Sequence, residues 1–175
     1  MALRDLVIAP DPRLKMVCPP VVRVDKSVRQ LMEDMMETMY HHMGAGLAAP
    51  QIGAITRVVV MDVSPNEDER DTSFPLMMAN PEILFYSPDT DTYAEGCLSI
   101  LEVRPKVCRP KSVKMRYLDE NNQLQELEAS GYLAKCIQHE IDHINGILAY
   151  DYQSDLKRSM TLRKLKKLQR LELES

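Results

Sequence analysis

The sequence predicts a domain of the α+β class, because helical and extended patterns occupy separate stretches of the chain. A helical spacing of apolar residues follows Ser27, patterns typical of β-strands fill residues 57–128, and helical patterns return after Ser130. Separate groups of helices and strands are typical of α+β folds. At 175 residues the chain is long enough to bury a good core, and we expect one domain over residues 1–175.

The composition indicates a soluble globular protein. The net charge of −4 gives no reason to expect binding to DNA or to an anionic membrane. No stretch approaches the roughly 20 apolar residues of a membrane span, and the first residues lack the pattern of a secretory signal. Four irregularly spaced cysteines favour reduced thiols over a disulfide framework, and these are Cys18, Cys97, Cys108 and Cys136.

The first helix is predicted from a methionine-rich stripe. Residues 1–26 are rich in proline and predict an extended arm lying over the domain. Ser27 and Gln30 fit a capping box, and Gly44 is placed to end the helix. Methionines at helical spacing are far more often core residues than ligands.

His41 and His42 are neighbours in sequence and cannot share a helix face, so we do not expect a metal site there.

Strand patterns follow over residues 57–63, 76–86 with an interruption at Asn80-Pro81, and 90–100. Apolar and basic residues alternate from Val113 to Tyr117, as in a half-buried strand, and a turn at Asn121-Asn122 predicts a hairpin with residues 124–128. A helix is then expected to begin at Ser130 and to end at Asn145-Gly146.

The C-terminal segment, residues 154–175, predicts a basic amphipathic helix. A leucine stripe would dock on the domain and consists of Leu162, Leu165, Leu168 and Leu171. Seven basic residues and no acid lie between Lys157 and Arg170. Such a run is most often a solvated face, but it would also serve as an electrostatic handle for RNA or a ribosome.

The strongest chemical signal is the His-Glu-x-x-His sequence at residues 139–143. On a helix, His139 and His143 lie on one face and can present two imidazoles to one metal ion. Glu140 can reach a water on that metal and take its proton. The alternative is a surface helix with two coincidental histidines. The pattern predicts a metal site and does not by itself name the reaction.

A catalytic site of this kind usually needs a third protein ligand. The position six residues past His143 is Ala149, and residues 157–170 contain no acid, so the ligand should lie upstream. Cys97 follows a glycine, which lets the backbone pass close to an ion. Cys136 is the rival on the helix face of the histidines. Because one helix can hardly offer three ligands in a tetrahedral array, we expect Cys136 to pack beside the site.

A glycine-rich loop lies at residues 44–51. It lacks the lysine and the hydroxyl residue that a phosphate-binding loop needs, so we exclude nucleotide binding. Small residues there would allow a close backbone approach, and the alternative is a packed turn between helix and strand. Gln51 at its end is a candidate donor to a substrate oxygen.

Three motifs together resemble those of peptide deformylases, in order and spacing, and the resemblance spans nearly the whole chain. They are Gly44-Ala45-Gly46-Leu47-Ala48-Ala49-Pro50-Gln51, Glu95-Gly96-Cys97-Leu98-Ser99 and Gln138-His139-Glu140-Ile141-Asp142-His143. The resemblance implies antiparallel sheets packed around a central metal-binding helix, with an N-terminal and a C-terminal helix. It also implies removal of the formyl group from the N-terminal formyl-methionine of nascent polypeptides, with release of formate.

The same resemblance implies roles for particular residues. Cys97, His139 and His143 would bind the metal, which is typically Fe(II), with Zn(II) or Ni(II) able to occupy the site. Glu140 would act as general base and acid. Gln51 and the backbone N–H of Leu98 would stabilise the oxyanion.

Substrate-binding residues are expected around these groups. Gly46 would help to form a tight mouth for the formyl group, and Glu95 opens the cysteine motif. Tyr132, Cys136 and Ile137 are candidate linings for the methionine side chain, with Tyr93 opposite. Arg104 matches a family arginine that contacts the peptide. Ala45 and Leu101 depart from the family's Ile or Val and its Pro, which puts substrate preference in question and leaves the metal chemistry intact.

The expected partners are N-formylmethionyl nascent peptides and, through the C-terminal helix, the ribosome. The expected compartment is the bacterial cytoplasm, with an organelle as the second choice. Two alternatives remain at this point. A general metallopeptidase would need another third ligand, and a catalytically weak or silent ribosome-associated relative would be expected to lose Glu140 or a ligand, which this chain retains.

Overall fold

The computed structural model describes residues 1–175 and confirms the α+β class. It has three α-helices and seven strands. The helices are α1 (Lys26–His41), α2 (Gly131–Ile144) and α3 (Asp155–Glu174). The strands are β1 (Gly46–Ala48), β2 (Val58–Asp62), β3 (Pro75–Tyr86), β4 (Thr90–Ala94), β5 (Lys106–Pro110), β6 (Ser112–Leu118) and β7 (Leu124–Ser130).

The strands form two antiparallel sheets around α2. The larger sheet has the order β1-β2-β3-β6-β7, and β4 pairs with β5 in a separate ribbon. The predicted hairpin is present, with Val113 opposite Ala129 in the β6–β7 register. One face of α2 places Leu133, Ile137 and Ile144 in the main core against the larger sheet. Each such buried side chain contributes about 1.5–3 kcal/mol to stability, so α2 is held firmly in place.

Helix α1 buries its methionine stripe as predicted, with Met32, Met35 and Met39 inaccessible to solvent. Its predicted ends are wrong. The N-cap is Asp25, whose carboxylate accepts from the Val28 N–H at 3.0 Å. The carboxylate competes better than the Ser27 hydroxyl for the free amides of the first turn, and Ser27 donates to that same carboxylate.

The C-terminal turn of α1 also differs from the prediction. The helix ends at His41, and Met43, not Gly44, adopts the left-handed conformation with φ 54°. The Gly44 N–H still donates to the Met39 carbonyl at 2.9 Å, which satisfies one of the free carbonyls at this end. A glycine next to the helix end therefore predicted the place of the turn but not the residue that makes it.

The strands differ from the prediction in three ways. β3 runs through Asn80-Pro81 without a break, because a bulge there, with Asn80 at φ 49°, absorbs the irregularity. β4 ends at Ala94, so Cys97 lies on a loop closed by a bridge to Ile100. β1 and β5 were not predicted, because β1 has only three residues and β5 ends in a proline.

The chain ends pack on this framework in different ways. In the N-terminal arm the Val7 N–H donates to the Gln51 carbonyl at 2.7 Å, and the Ala9 N–H donates to the Ser99 carbonyl at 2.8 Å. At the other end, α3 docks through Leu165, which is 1% exposed, whereas Leu171 of the predicted stripe is 54% exposed. The docked part of α3 is therefore shorter than the stripe suggested.

None of the helices combines the length and the apolar character that a bilayer crossing requires.

Candidate metal centre and active site

Three potential metal ligands converge where the loop that follows β4 meets helix α2. Cys97 comes from that loop, and His139 and His143 come from successive turns of α2. Cys97 Sγ lies 3.3 Å from His143 Nε2, which lies 3.2 Å from His139 Nε2. All three ligand atoms lie within 4.8 Å of one another. A thiolate and two imidazoles that face one point fit a divalent ion with one position left open.

The surroundings of the two histidines suit metal binding. His139 Nδ1 lies 2.7 Å from Glu95 Oε2. Because a carboxylate only accepts hydrogen bonds, Nδ1 of His139 carries a proton, and Nε2 is the ring nitrogen that faces His143. Burial lowers the pKa of His143 well below its usual value, so this imidazole is neutral and able to bind a cation.

Glu95 is buried, and both of its carboxylate oxygens contact other side chains of the protein. One of its oxygens contacts His139, and both accept hydrogen bonds from the Arg109 guanidinium. Burial would raise the pKa of Glu95, but the bonds to His139 and Arg109 outweigh it and lower the pKa to about 2. Arg109 also donates to Asp142 at 2.9 Å. The two carboxylates offset the charge of an arginine that is only 4% exposed.

Glu140 is 5% exposed and lies opposite the glycine-rich loop. Its Oε2 has no hydrogen-bond partner within the protein. Burial raises the pKa of this carboxyl to about 7. A Cβ added to Gly46 would lie 2.7 Å from Glu140 Oε1 and 3.0 Å from its Cγ. Gly46 therefore leaves room for the Glu140 carboxylate, and Glu140 belongs to the lining of the adjoining cavity.

Gln51 and Leu98 carry two further polar groups, and both residues line the cavity next to the potential metal ligands. Gln51 is held by its Oε1, which accepts from the Ala48 N–H at 2.9 Å, and its Nε2 donates to Ser99 Oγ at 3.1 Å. Its Nε2 also lies 3.6 Å from Cys97 Sγ, so the amide stands beside the ligand cluster. The Leu98 N–H donates to no group of the protein. Both are candidate donors to a substrate oxygen.

These groups open into a cavity of about 580 Å³. The predicted residues Gly46, Glu95, Arg104, Tyr132 and Cys136 line it, together with Cys97, one of the three potential metal ligands. Cys136 therefore packs beside the site, as expected from its place on α2.

Other predicted residues lie elsewhere. Tyr93 does not line the cavity, and its ring faces the Lys135 ammonium at 4.4 Å. Ile137 points into the core between α2 and the sheet. Of the two departures from the family pattern, Ala45 lines the cavity and Leu101 does not.

Sequence reasoning missed Arg109, Ser99 and Lys135. Arg109 occupies an inward position of β5, two residues from the buried Val107. A charge where the alternation calls for an apolar residue is a signal that could have been used. Ser99 positions Gln51, and Lys135 lines the cavity. Their roles depend on side-chain contacts between distant segments, which spacing does not reveal.

Fold and site together define a metal-dependent hydrolase: the ligand cluster can bind an ion that activates water, and Glu140 stands next to it. Comparisons with known proteins narrow this class. The family model for polypeptide deformylase matches residues 3–159. A peptide deformylase of Methylocella silvestris is 48% identical over 99% of this chain and 89% of its own.

Solved structures of peptide deformylases are also similar to this chain. The actinonin complex of peptide deformylase from Ehrlichia chaffeensis has a TM-score of 0.90 and 38% identity, covering 97% of this chain and 99% of that one. The Met-Ala-Ser-bound class I type b peptide deformylase from Acinetobacter baumannii has a TM-score of 0.80 and 32% identity, covering 87% of this chain and 99% of that one.

The chain belongs to the peptide deformylase family. It is a hydrolase that removes the N-formyl group from the N-terminal formyl-methionine of nascent polypeptides and releases formate. The family and function predicted from the three motifs are confirmed, and neither alternative is favoured.

Proposed function

We propose that Cys97, His139 and His143 bind one divalent metal ion and that Glu140 moves the protons of the reaction. The observation that carries this proposal is the cluster of three ligand atoms next to a buried carboxylate oxygen without a partner. Fe(II) is the proposed ion in the cell. One thiolate with two imidazoles suits iron and zinc alike, so Zn(II) or Ni(II) would also occupy the site.

The ion, when bound, lowers the pKa of a water molecule and polarises the formyl group. Glu140 accepts a proton from the attacking water, whose oxygen forms the new bond to the formyl carbon. The negative charge that develops on the formyl oxygen accepts hydrogen bonds from the Leu98 N–H and Gln51 Nε2. As the C–N bond breaks, Glu140 delivers its proton to the leaving amine. The products are formate and a peptide with a free N-terminus.

The proposed substrate places its formyl group in the gap between Gly46 and Cys97 and its first side chain along the cavity wall. Met-Ala-Ser, bound by the related enzyme of Acinetobacter baumannii, is what deformylation of formyl-Met-Ala-Ser would produce. Arg104 lines the cavity and has no ion-pair partner. It is therefore free to contact the peptide backbone or its carboxyl end.

Formate release tests the function. Enzyme purified without oxygen and loaded with Fe(II) should release one formate and one free amine from each formyl-Met-Ala-Ser. Chelation should abolish turnover, and added Fe(II), Zn(II) or Ni(II) should restore it. A loaded enzyme that releases no formate would indicate a silent relative. Cleavage of an internal peptide bond in the same assay would indicate a general metallopeptidase.

We further propose that α3 contacts the ribosome, and hence that the enzyme acts on nascent chains in the bacterial cytoplasm. Leu165 and Thr161 hold the helix on the domain, while six of its seven basic residues, all except Arg158, remain exposed. Phosphates attract such a surface through release of their counterions, so the contact should weaken as salt rises.

Reversing three charges on α3, by Lys166→Glu, Lys167→Glu and Arg170→Glu together, should therefore reduce co-sedimentation with ribosomes by at least about tenfold at low salt. Turnover of short formyl peptides should persist, since these side chains are exposed and none lines the cavity. Lys111→Glu, an exposed lysine outside α3, is the matched control. Equal sedimentation of the triple variant and the control would refute the contact.

A further inference from the structure

The cavity wall formed by α2 carries a lysine where a pocket for methionine calls for apolar groups. Tyr132, Lys135, Cys136 and His139 all line the cavity and occupy successive turns of the helix. Each turn advances about 5.4 Å. The wall therefore leads from the metal ligand His139 past Cys136 and Lys135 to Tyr132. A substrate with its formyl group at the ligand cluster, as in the proposed function on which this inference rests, places its first side chain along this wall.

The Lys135 side chain is held but not neutralised. Its Nζ lies 4.4 Å from the ring centroid of Tyr93 and 5.2 Å from that of Tyr132. Ammonium groups at these distances from aromatic faces are attracted by the negative charge of the ring face. No carboxylate forms an ion pair with it, and it donates no hydrogen bond to the protein. Two rings thus fix a half-buried cation whose three N–H donors are unused.

The consequences differ for two kinds of side chain. An apolar side chain that fills the pocket removes water from the ammonium and offers it no hydrogen bond, which costs binding energy. A side chain of similar length that carries a strong acceptor near its end replaces that water with a charge-assisted hydrogen bond. Methionine sulfoxide has the length of methionine and carries a strong acceptor of this kind, the S=O oxygen, on its δ sulfur beside the terminal methyl group.

We propose that Lys135 adapts the first-residue pocket to side chains that carry a hydrogen-bond acceptor near their end, and that peptides beginning with formyl-methionine sulfoxide are substrates of this enzyme beside formyl-methionine. The Lys135 ammonium donates to the sulfoxide oxygen, and the reacting groups at Glu140 and Cys97 are unchanged. The enzyme thereby deformylates chains whose first residue has been oxidised.

The test compares two substrates within each enzyme preparation, formyl-methionine sulfoxide-Ala-Ser and formyl-norleucine-Ala-Ser. The measured quantity is the ratio of their kcat/KM values, in which the fraction of folded, metal-loaded enzyme cancels. In Lys135→Met this ratio should fall by at least about tenfold, the typical loss when a hydrogen bond to a charged group is removed. Lys135→Arg keeps the cation and should keep most of the ratio. Lys111→Met, outside the cavity, should keep all of it.

Product inhibition gives a second reading that does not depend on the chemical step. Methionine sulfoxide-Ala-Ser should inhibit the wild-type enzyme more strongly, relative to norleucine-Ala-Ser, than it inhibits Lys135→Met. An unchanged kcat/KM ratio in Lys135→Met, with norleucine turnover intact, would overturn this inference alone. Failure of the wild-type enzyme to hydrolyse either formyl peptide would instead contradict the proposed function.

Discussion

Glu140→Gln should lower kcat by about a hundredfold to ten-thousandfold, the usual contribution of a general base or acid, and should leave metal content unchanged. Glutamine keeps the shape of the side chain next to Gly46, where little space exists for anything larger. It cannot accept the proton of the attacking water or pass one to the leaving amine. Because Glu140 is not among the three converging ligands, the ion should bind as before.

The measurement is steady-state deformylation at saturating formyl peptide, together with elemental analysis of the same samples. Glu128→Gln, an exposed glutamate on β7, is the matched control and should behave as wild type. If Glu140→Gln retained wild-type kcat with a full complement of metal, another group would have to carry the protons. If it lost its metal, the acid would have to be counted among the ligands.

Cys97→Ala should abolish both metal binding and turnover. Two histidines on one helix would remain, and a site with only two protein ligands binds divalent ions weakly. The loss should exceed the roughly tenfold to hundredfold drop in affinity that follows removal of a group that only hydrogen-bonds a ligand. Zinc titration against a chromophoric chelator gives the affinity without reference to activity.

Cys108→Ala is the matched control, since Cys108 is an exposed free thiol on β5. It should bind one metal ion and deformylate at the wild-type rate. A Cys97→Ala enzyme that kept one tightly bound ion and full turnover would contradict the proposed ligand set. In that case a different third ligand would have to be sought, as in a general metallopeptidase.

The parts of the site that the sequence revealed are those whose geometry is local. His139 and His143 share a helix face because of the helical repeat alone, and Glu140 is next to one of them. Cys97 was found because few thiols were available and one followed a glycine. The contacts of Glu95 were not predictable in this way. They involve Arg109, fourteen residues away, and His139, forty-four residues away, and no repeat relates these positions.

In the fold, too, features set by short-range patterns were predicted, whereas contacts between distant segments were not. The β6–β7 hairpin and the methionine face of α1 follow from short-range patterns and were predicted. The pairing of β4 with β5 was not, because the two strands are separated by the loop that contains Cys97. Tyr93 was expected inside the cavity, and its ring instead packs on Lys135. Which way a side chain turns depends on its neighbours across the sheet, which alternation along one strand does not specify.

The origin of the three converging side chains has a consequence for the lifetime of the protein. Cys97 lies on the loop between the two strands of the small ribbon, whereas His139 and His143 belong to the helix at the centre of the molecule. An ion bound by all three ties these segments together only in the native state, so its binding free energy adds to the free energy of unfolding. Each tenfold rise in free metal above the dissociation constant adds about 1.4 kcal/mol. Cells short of metal would then hold less of this enzyme as well as less active enzyme, because proteases remove proteins that unfold more often.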